Sequence, residues 1–107
     1  MNENYYEKLL NINTAGNENW NKTSPHNHPY QPTLYEALDT LFNEYNLEED
    51  DHIVDFGSGK GRIVFYINHF FKCYTTGVEM NEIYYNESLL NKSKYIQHHK
   101  KMEDKIN

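Results

Sequence analysis

The chain has 107 residues, with 16 acidic side chains against 10 basic ones and a formal net charge of -6. That is the length of one small domain or part of a larger one, with room for two packed layers. No apolar run approaches the ~20 residues of a membrane-spanning helix, the start MNENYYEKLL has neither the basic nor the apolar region of a signal peptide, and the single cysteine, Cys73, excludes an internal disulfide framework and a multi-cysteine zinc site.

A cytoplasmic protein is the resulting expectation. The acidic balance argues against a nucleic-acid binder held mainly by phosphate contacts. The ten tyrosines are scattered and few stand beside basic clusters, which reads as general composition rather than as a stacking platform for bases.

Residues 1–29 read as a flexible N-terminal lead-in, rich in asparagine and poor in aliphatics, in which Tyr5, Tyr6, Leu9 and Leu10 can make one short helical turn. Ser24-Pro25-His26-Asn27-His28-Pro29 is a loop by its turn chemistry. His26 and His28 have no carboxylate or cysteine at a compatible local spacing and are expected to be solvated rather than metal-bound.

A helix over 33–45 follows. Thr33 and Glu36 have capping-box spacing, and Leu34, Leu38, Leu41, Phe42 and Tyr45 fall on one face. After the acidic loop Glu48–Asp51 comes a strand over 52–56, ended by Gly57-Ser58-Gly59-Lys60-Gly61. Ile63, Val64, Ile67, Phe70 and Phe71 predict a helix over 61–71. A second strand spans 73–80, and a last helix, over 82–100, has a loosely apolar side of Ile83, Tyr84, Leu89, Leu90 and Ile96. Helix, strand, helix, strand, helix predicts an α/β fold with parallel strands and right-handed crossovers.

The chemistry gathers at the glycine turn. Glycines let the chain turn sharply and let a ligand approach the main chain, and a helix starting there points amides above the strand end. Glu79 closes the second strand, 22 residues after Gly57. Adjacent parallel strands bring both carboxyl ends to one edge, where a carboxylate can accept hydrogen bonds from two vicinal ribose hydroxyls, so a nucleoside cofactor is the direct reading.

The dinucleotide fingerprint G-x-G-x-x-G is not met: the third glycine comes one residue early and Arg62 follows it. No P-loop run exists either. Asp55, two residues before the first glycine, would repel a pyrophosphate and attract an ammonium or sulfonium. S-adenosylmethionine carries both cations and a ribose. Lys60 and Arg62 are expected to face solvent, Cys73 to be a small apolar filler with no activating partner, and His98-His99-Lys100-Lys101 to complement a helix dipole.

Asp55-Phe56-Gly57-Ser58-Gly59-Lys60-Gly61 together with Gly77-Val78-Glu79-Met80 resembles the first two motifs of the class I S-adenosylmethionine-dependent methyltransferases, over roughly residues 33–90. Tyr30-Gln31-Pro32-Thr33 is similar to a Y-x-P-T segment of some small members, including certain protein-lysine methyltransferases. The resemblance implies a partial Rossmann-like methyltransferase fold, truncated after the second strand and its helix, with residues 30–107 as a partial S-adenosylmethionine-binding domain.

It also implies roles. Asp55 helps to hold the methionine moiety; Gly57, Ser58, Gly59 and Gly61 lie beneath the cofactor; Glu79 binds the ribose and Met80 packs on the adenine. The catalytic residues are unassigned, because the family's substrate-side motif follows a fourth strand and no Asp/Asn-Pro-Pro-aromatic segment stands in this chain. The methyl acceptor stays open among protein lysine, nucleic acid and small molecule.

The alternative is a non-catalytic fragment or binding module derived from a methyltransferase; a nicotinamide-dinucleotide binder is disfavoured by Asp55 and the glycine spacing. With so few strands, the first is expected to have an open edge, Ile53, Val54 and Phe56 cannot all be buried, and association with itself or with a partner chain through that edge is expected.

Overall fold

A computed structural model describes residues 3–16 and 31–107. The elements run α1 (Glu3–Leu10), α2 (Tyr35–Glu44), β1 (His52–Phe56), α3 (Arg62–Phe71), β2 (Tyr74–Val78), α4 (Glu82–His98) and a 3-10 helix (Lys100–Lys105). The two strands are parallel and adjacent, with His52 opposite Tyr74 and Phe56 opposite Val78. Both predicted strands and the three predicted helices therefore exist in the expected order. None of the described helices is long and apolar enough to cross a membrane. His26 and His28 lie outside the described residues.

The chain goes one step beyond the predicted last helix. Ile106 forms a parallel bridge to Thr75 on the edge of β2 that faces away from β1, and Asn107 exchanges backbone hydrogen bonds with Thr75 and Gly77 (2.9 and 3.1 Å). Among the described strands, β1 pairs with β2 alone. In this register His52, Val54, Phe56, Tyr74, Thr76 and Val78 share one sheet face, and Val54, Phe56, Tyr74 and Val78 are exposed on it. The opposite face carries Ile53 and the buried Thr75 and is covered by α3.

The helix α3 is buried nearly all round: Arg62, Val64, Phe65, Tyr66, Ile67 and Asn68 are all inside. Such burial marks a central element rather than a surface helix. It ends at Lys72 in the left-handed conformation, whose N–H bonds the Asn68 carbonyl. The Asn68 side chain donates to the Cys73 carbonyl (3.0 Å) and accepts from the Tyr95 hydroxyl (2.6 Å), tying α3 to the start of β2 and to α4. Cys73 is fully buried, and burial pushes its thiol up.

Three expectations are corrected. Residues 3–16 are not a flexible lead-in. They form α1 and a packed extension, with Tyr6, Leu10, Ile12 and Thr14 buried. Tyr6 stacks on Tyr35 with ring centroids 4.7 Å apart, and the hydroxyls of Tyr6 and Tyr66 both donate to Asp39. That bond, before burial, pushes the Tyr6 phenol up to about 12.

The Thr33 capping box does not form either. The N-cap of α2 is Leu34, with no side-chain cap of its own. The Tyr35 amide donates instead to the Glu3 carboxylate (2.9 Å), so a residue 32 positions away caps the helix.

The predicted apolar side of α4 is the third. The helix buries Asn91 and Tyr95, while Ile83, Leu89 and Leu90 are exposed.

His69 gives the fold a pH dependence. Burial first, then the charges of His99 and Lys72, lower its pKa to about 4. The folded value lies below the unfolded one, so between about pH 6.5 and 4 the unfolded state takes up the proton first and stability falls as pH falls. Allowing for partial exposure, the loss should be about 1–2 kcal/mol. Urea midpoints at pH 7 and 4.5 should differ less in His69→Gln than in the wild type; an equal difference would assign the acid sensitivity to other groups.

Candidate functional site

The site is built at the carboxyl edge of the two strands. Gly57, Gly59 and Gly61 have positive φ (75, 57 and 100°), which is what lets β1 turn into α3 within five residues. The turn folds down onto β2. The amides of Gly57 and Ser58 both donate to the Val78 carbonyl (2.7 and 3.0 Å) and that of Gly61 to Ser58 (2.9 Å). Gly77 permits this approach: a Cβ there would sit 2.8 Å from the Ser58 hydroxyl and 3.2 Å from Val64.

Glu79 completes the arrangement. One carboxylate oxygen accepts from the Gly59 amide (2.7 Å) and the other from the Asn81 amide (2.8 Å). Each oxygen keeps a lone pair for a further donor. Asp55 faces the same space, and its carboxyl is pushed up, by burial first and by the charge of Glu79 second.

A cleft of about 240 Å³ opens over this edge. Asp55, Gly57, Ser58, Gly59 and Glu79 all line it, so five of the seven sequence-predicted residues come together there. Gly61 and Met80 do not line it. Gly61 is the N-cap of α3 and lines a neighbouring cavity of about 290 Å³ against β2 and α4. The Met80 side chain is 96% exposed.

The other walls are Gln31, Pro32, Thr33, Arg62, Ile63, Asn81 and Tyr84. Asn81 caps α4 by accepting the Tyr84 amide (3.1 Å), which fixes where Tyr84 stands. Sequence reasoning placed Tyr84 on the apolar side of the last helix and gave neither residue a role in the site; their only local signal is Asn81 at a helix start two residues after the strand-end carboxylate. Arg62 is not at the surface as expected: it is 2% exposed.

The sequence predicted that the helix starting here points free amides above the strand end. In the turn that precedes it, the amides of Gly57, Ser58, Gly59 and Gly61 are each spent on the Val78, Ser58 or Glu79 oxygens. An anion site needs such donors. What remains is a close-approach glycine surface between two carboxylates, which suits a ligand with a cation and hydroxyl donors. Beside Gly57 a Cβ would meet nothing within 4 Å, so that surface is open. Among the described residues, no group of three or more His, Cys, Asp or Glu could hold a metal ion.

Parallel strands joined through a glycine turn, with a carboxylate at each strand end, define the class as part of a Rossmann-like class I methyltransferase fold. An RNA methyltransferase from Salinibacter ruber, solved in complex with S-adenosyl-L-homocysteine, is similar in fold, with a TM-score of 0.60, 22% identity and coverage of 71% of this chain. This chain spans 46% of that one. The histone methylation protein DOT1 family matches residues 6–104, and the chain belongs to that family. No curated protein matches the chain.

Proposed function

We propose that this chain is the S-adenosylmethionine-binding part of a methyltransferase. One observation carries the reading: Asp55 and Glu79 flank a glycine turn whose amides are already engaged, so the cleft favours a cationic nucleoside over a pyrophosphate. The cofactor supplies a methyl group on a sulfonium that is already activated for displacement.

The chain's part is to hold and orient it. Glu79 has lone pairs left for two ribose hydroxyls, Asp55 offers its charge to the methionine end, and the turn admits the cofactor to van der Waals contact. Met80 would reach the adenine only by folding over the mouth of the cleft. The acceptor class is open: the DOT1 family name points to protein, while the similar structure is an RNA methyltransferase.

Calorimetric titration tests this. S-adenosylmethionine or S-adenosylhomocysteine should bind in preference to a nicotinamide dinucleotide. Glu79→Gln should weaken binding by about 10–100-fold, the worth of a charged hydrogen-bonding group. A preference for the dinucleotide would sink the proposal.

A pH series gives a second check. Because the Asp55 pKa is raised, its charge is lost earlier on acidification than that of an ordinary carboxylate. Affinity for the sulfonium form should therefore drop as pH falls, and Asp55→Asn should flatten that drop.

A second reading is a cofactor-binding module without turnover, favoured by the open edge of β1. In a doubly wound sheet the site lies beside the first strand, where strand order reverses, and among the described strands none stands beside β1 on that side. The purified chain is expected to show no methyl transfer from radiolabelled donor to protein, RNA or small-molecule acceptors. Measurable turnover by the monomer would overturn this.

A further inference from the structure

We propose that Arg62 is a positioning residue through which the N-terminal segment, residues 3–16, sets the shape of the cofactor cleft, so that docking of this segment and cofactor binding are linked. The inference rests on the cofactor reading above for its ligand and on the following geometry for everything else.

Arg62 is the first residue of α3 and leaves the glycine turn directly. Its Nε donates to the Thr14 hydroxyl at 2.8 Å. One terminal nitrogen donates to Glu3 at 2.5 Å and to the Thr33 carbonyl at 2.9 Å. The other lies 3.8 Å from Glu7, and the guanidinium stacks 4.1 Å above the Tyr35 ring.

The anions are held in turn. Glu7 accepts from the Thr14 amide and hydroxyl (2.6 and 2.9 Å) and from the Tyr35 hydroxyl (2.6 Å). One buried cation therefore closes a network over α1, the strap 12–15, the Thr33 wall of the cleft and the start of α2.

A second set of contacts fastens the same strap to the same turn. Asn91 accepts from the Asn13 amide (2.9 Å) and donates to the Asn13 and Lys60 carbonyls (both 3.0 Å). The Lys60 ammonium donates to the Ala15 carbonyl at 3.0 Å. Three successive strap residues, 13, 14 and 15, thus reach the turn through Asn91, Arg62 and Lys60.

The turn cannot shift without moving the strap, and the Thr33 wall hangs from the same guanidinium. A lysine at 62 would keep the charge but not the planar fork that reaches Thr14, Glu3 and Thr33 together. Linkage is reciprocal, so a ligand favoured by the docked form must also favour docking.

The test compares the full wild-type chain with Arg62→Lys and with Ile67→Val, which trims the same helix away from the cleft. Without ligand, Arg62→Lys should speed amide hydrogen exchange over 12–16 and 57–61 by about tenfold, the loss of one or two charged hydrogen bonds, and leave the amides of 91–95 nearly unchanged. S-adenosylhomocysteine affinity should fall by about tenfold or more in Arg62→Lys and by less than about twofold in Ile67→Val. Bound ligand should slow exchange across 12–16 in the wild type.

A uniform rise in exchange along the chain, or unchanged exchange at 57–61, would overturn the proposal. If Arg62→Lys does not fold, Thr14→Val removes one arm of the network and must show the same local pattern, weaker. Failure of the wild type to bind S-adenosylhomocysteine would overturn the cofactor reading, while the ligand-free exchange comparison would still decide the clamp.

Discussion

Gly61→Ala should cost about 2–6 kcal/mol of folding stability, a large share of what a domain of this size holds. Two effects add. Gly61 has φ 100°, where an L side chain costs about 1–3 kcal/mol. The new Cβ would also overlap Cε2 of the Phe65 ring and lie 3.1 Å from its Cδ2. Phe65 is buried and packed 5.1 Å from Tyr95, so the ring must shift to admit the new group, and overpacking adds about 1–3 kcal/mol.

Gly57→Ala is the matched control: φ is also positive, at 75°, but nothing lies within 4 Å of the added Cβ. It should lose only the conformational part, about 1–2 kcal/mol. Urea midpoints at constant slope measure both. Equal losses would show that the Phe65 contact contributes nothing.

The purified chain should have a concentration-dependent mass above the 12.8 kDa of one copy. Val54 (46% exposed) and Phe56 (79%) stand with Tyr74 and Val78 on one bare sheet face. Beside them, β1 offers its unpaired edge among the described strands. An apolar face and an open edge together are the ordinary template for strand pairing between chains. Val54→Lys combined with Phe56→Lys should return the mass toward that of one copy, by placing two like charges on that face. Light scattering behind a sizing column reads both. A wild type that is monomeric at high concentration and cooperatively folded would refute the expectation.

The strand, the glycine turn and the strand-end Glu79 were legible because each is local. A short strand-like run, three glycines in five residues and a carboxylate at the end of the next strand are written in consecutive residues. The parallel βαβ topology then follows from a helix standing between the two strands, and it alone brings Asp55 and Glu79 to one edge. Five of the seven predicted site residues line the cleft for that reason.

What the sequence could not display were pairings between distant residues. Glu3 caps α2 from 32 positions away, and so displaces the local capping box that Thr33 and Glu36 would have made. Arg62 in a polar-looking turn reads as solvated. Only the tertiary structure brings Thr14, Glu3 and Thr33, 48, 59 and 29 residues away, around its guanidinium. Asn91 is not among the apolar residues that the sequence points to in the last helix, yet its side-chain amide is used three times on backbone groups of Asn13 and Lys60.

Apolar periodicity reports which side chains gain by leaving water. It does not report polar groups that are buried because every donor and acceptor has found a partner. By itself the sequence determined the strand–turn–strand edge at which Asp55 and Glu79 meet. The tertiary structure decided which elements brace that edge, because buried charge is tolerable only where the fold supplies all of its partners at once.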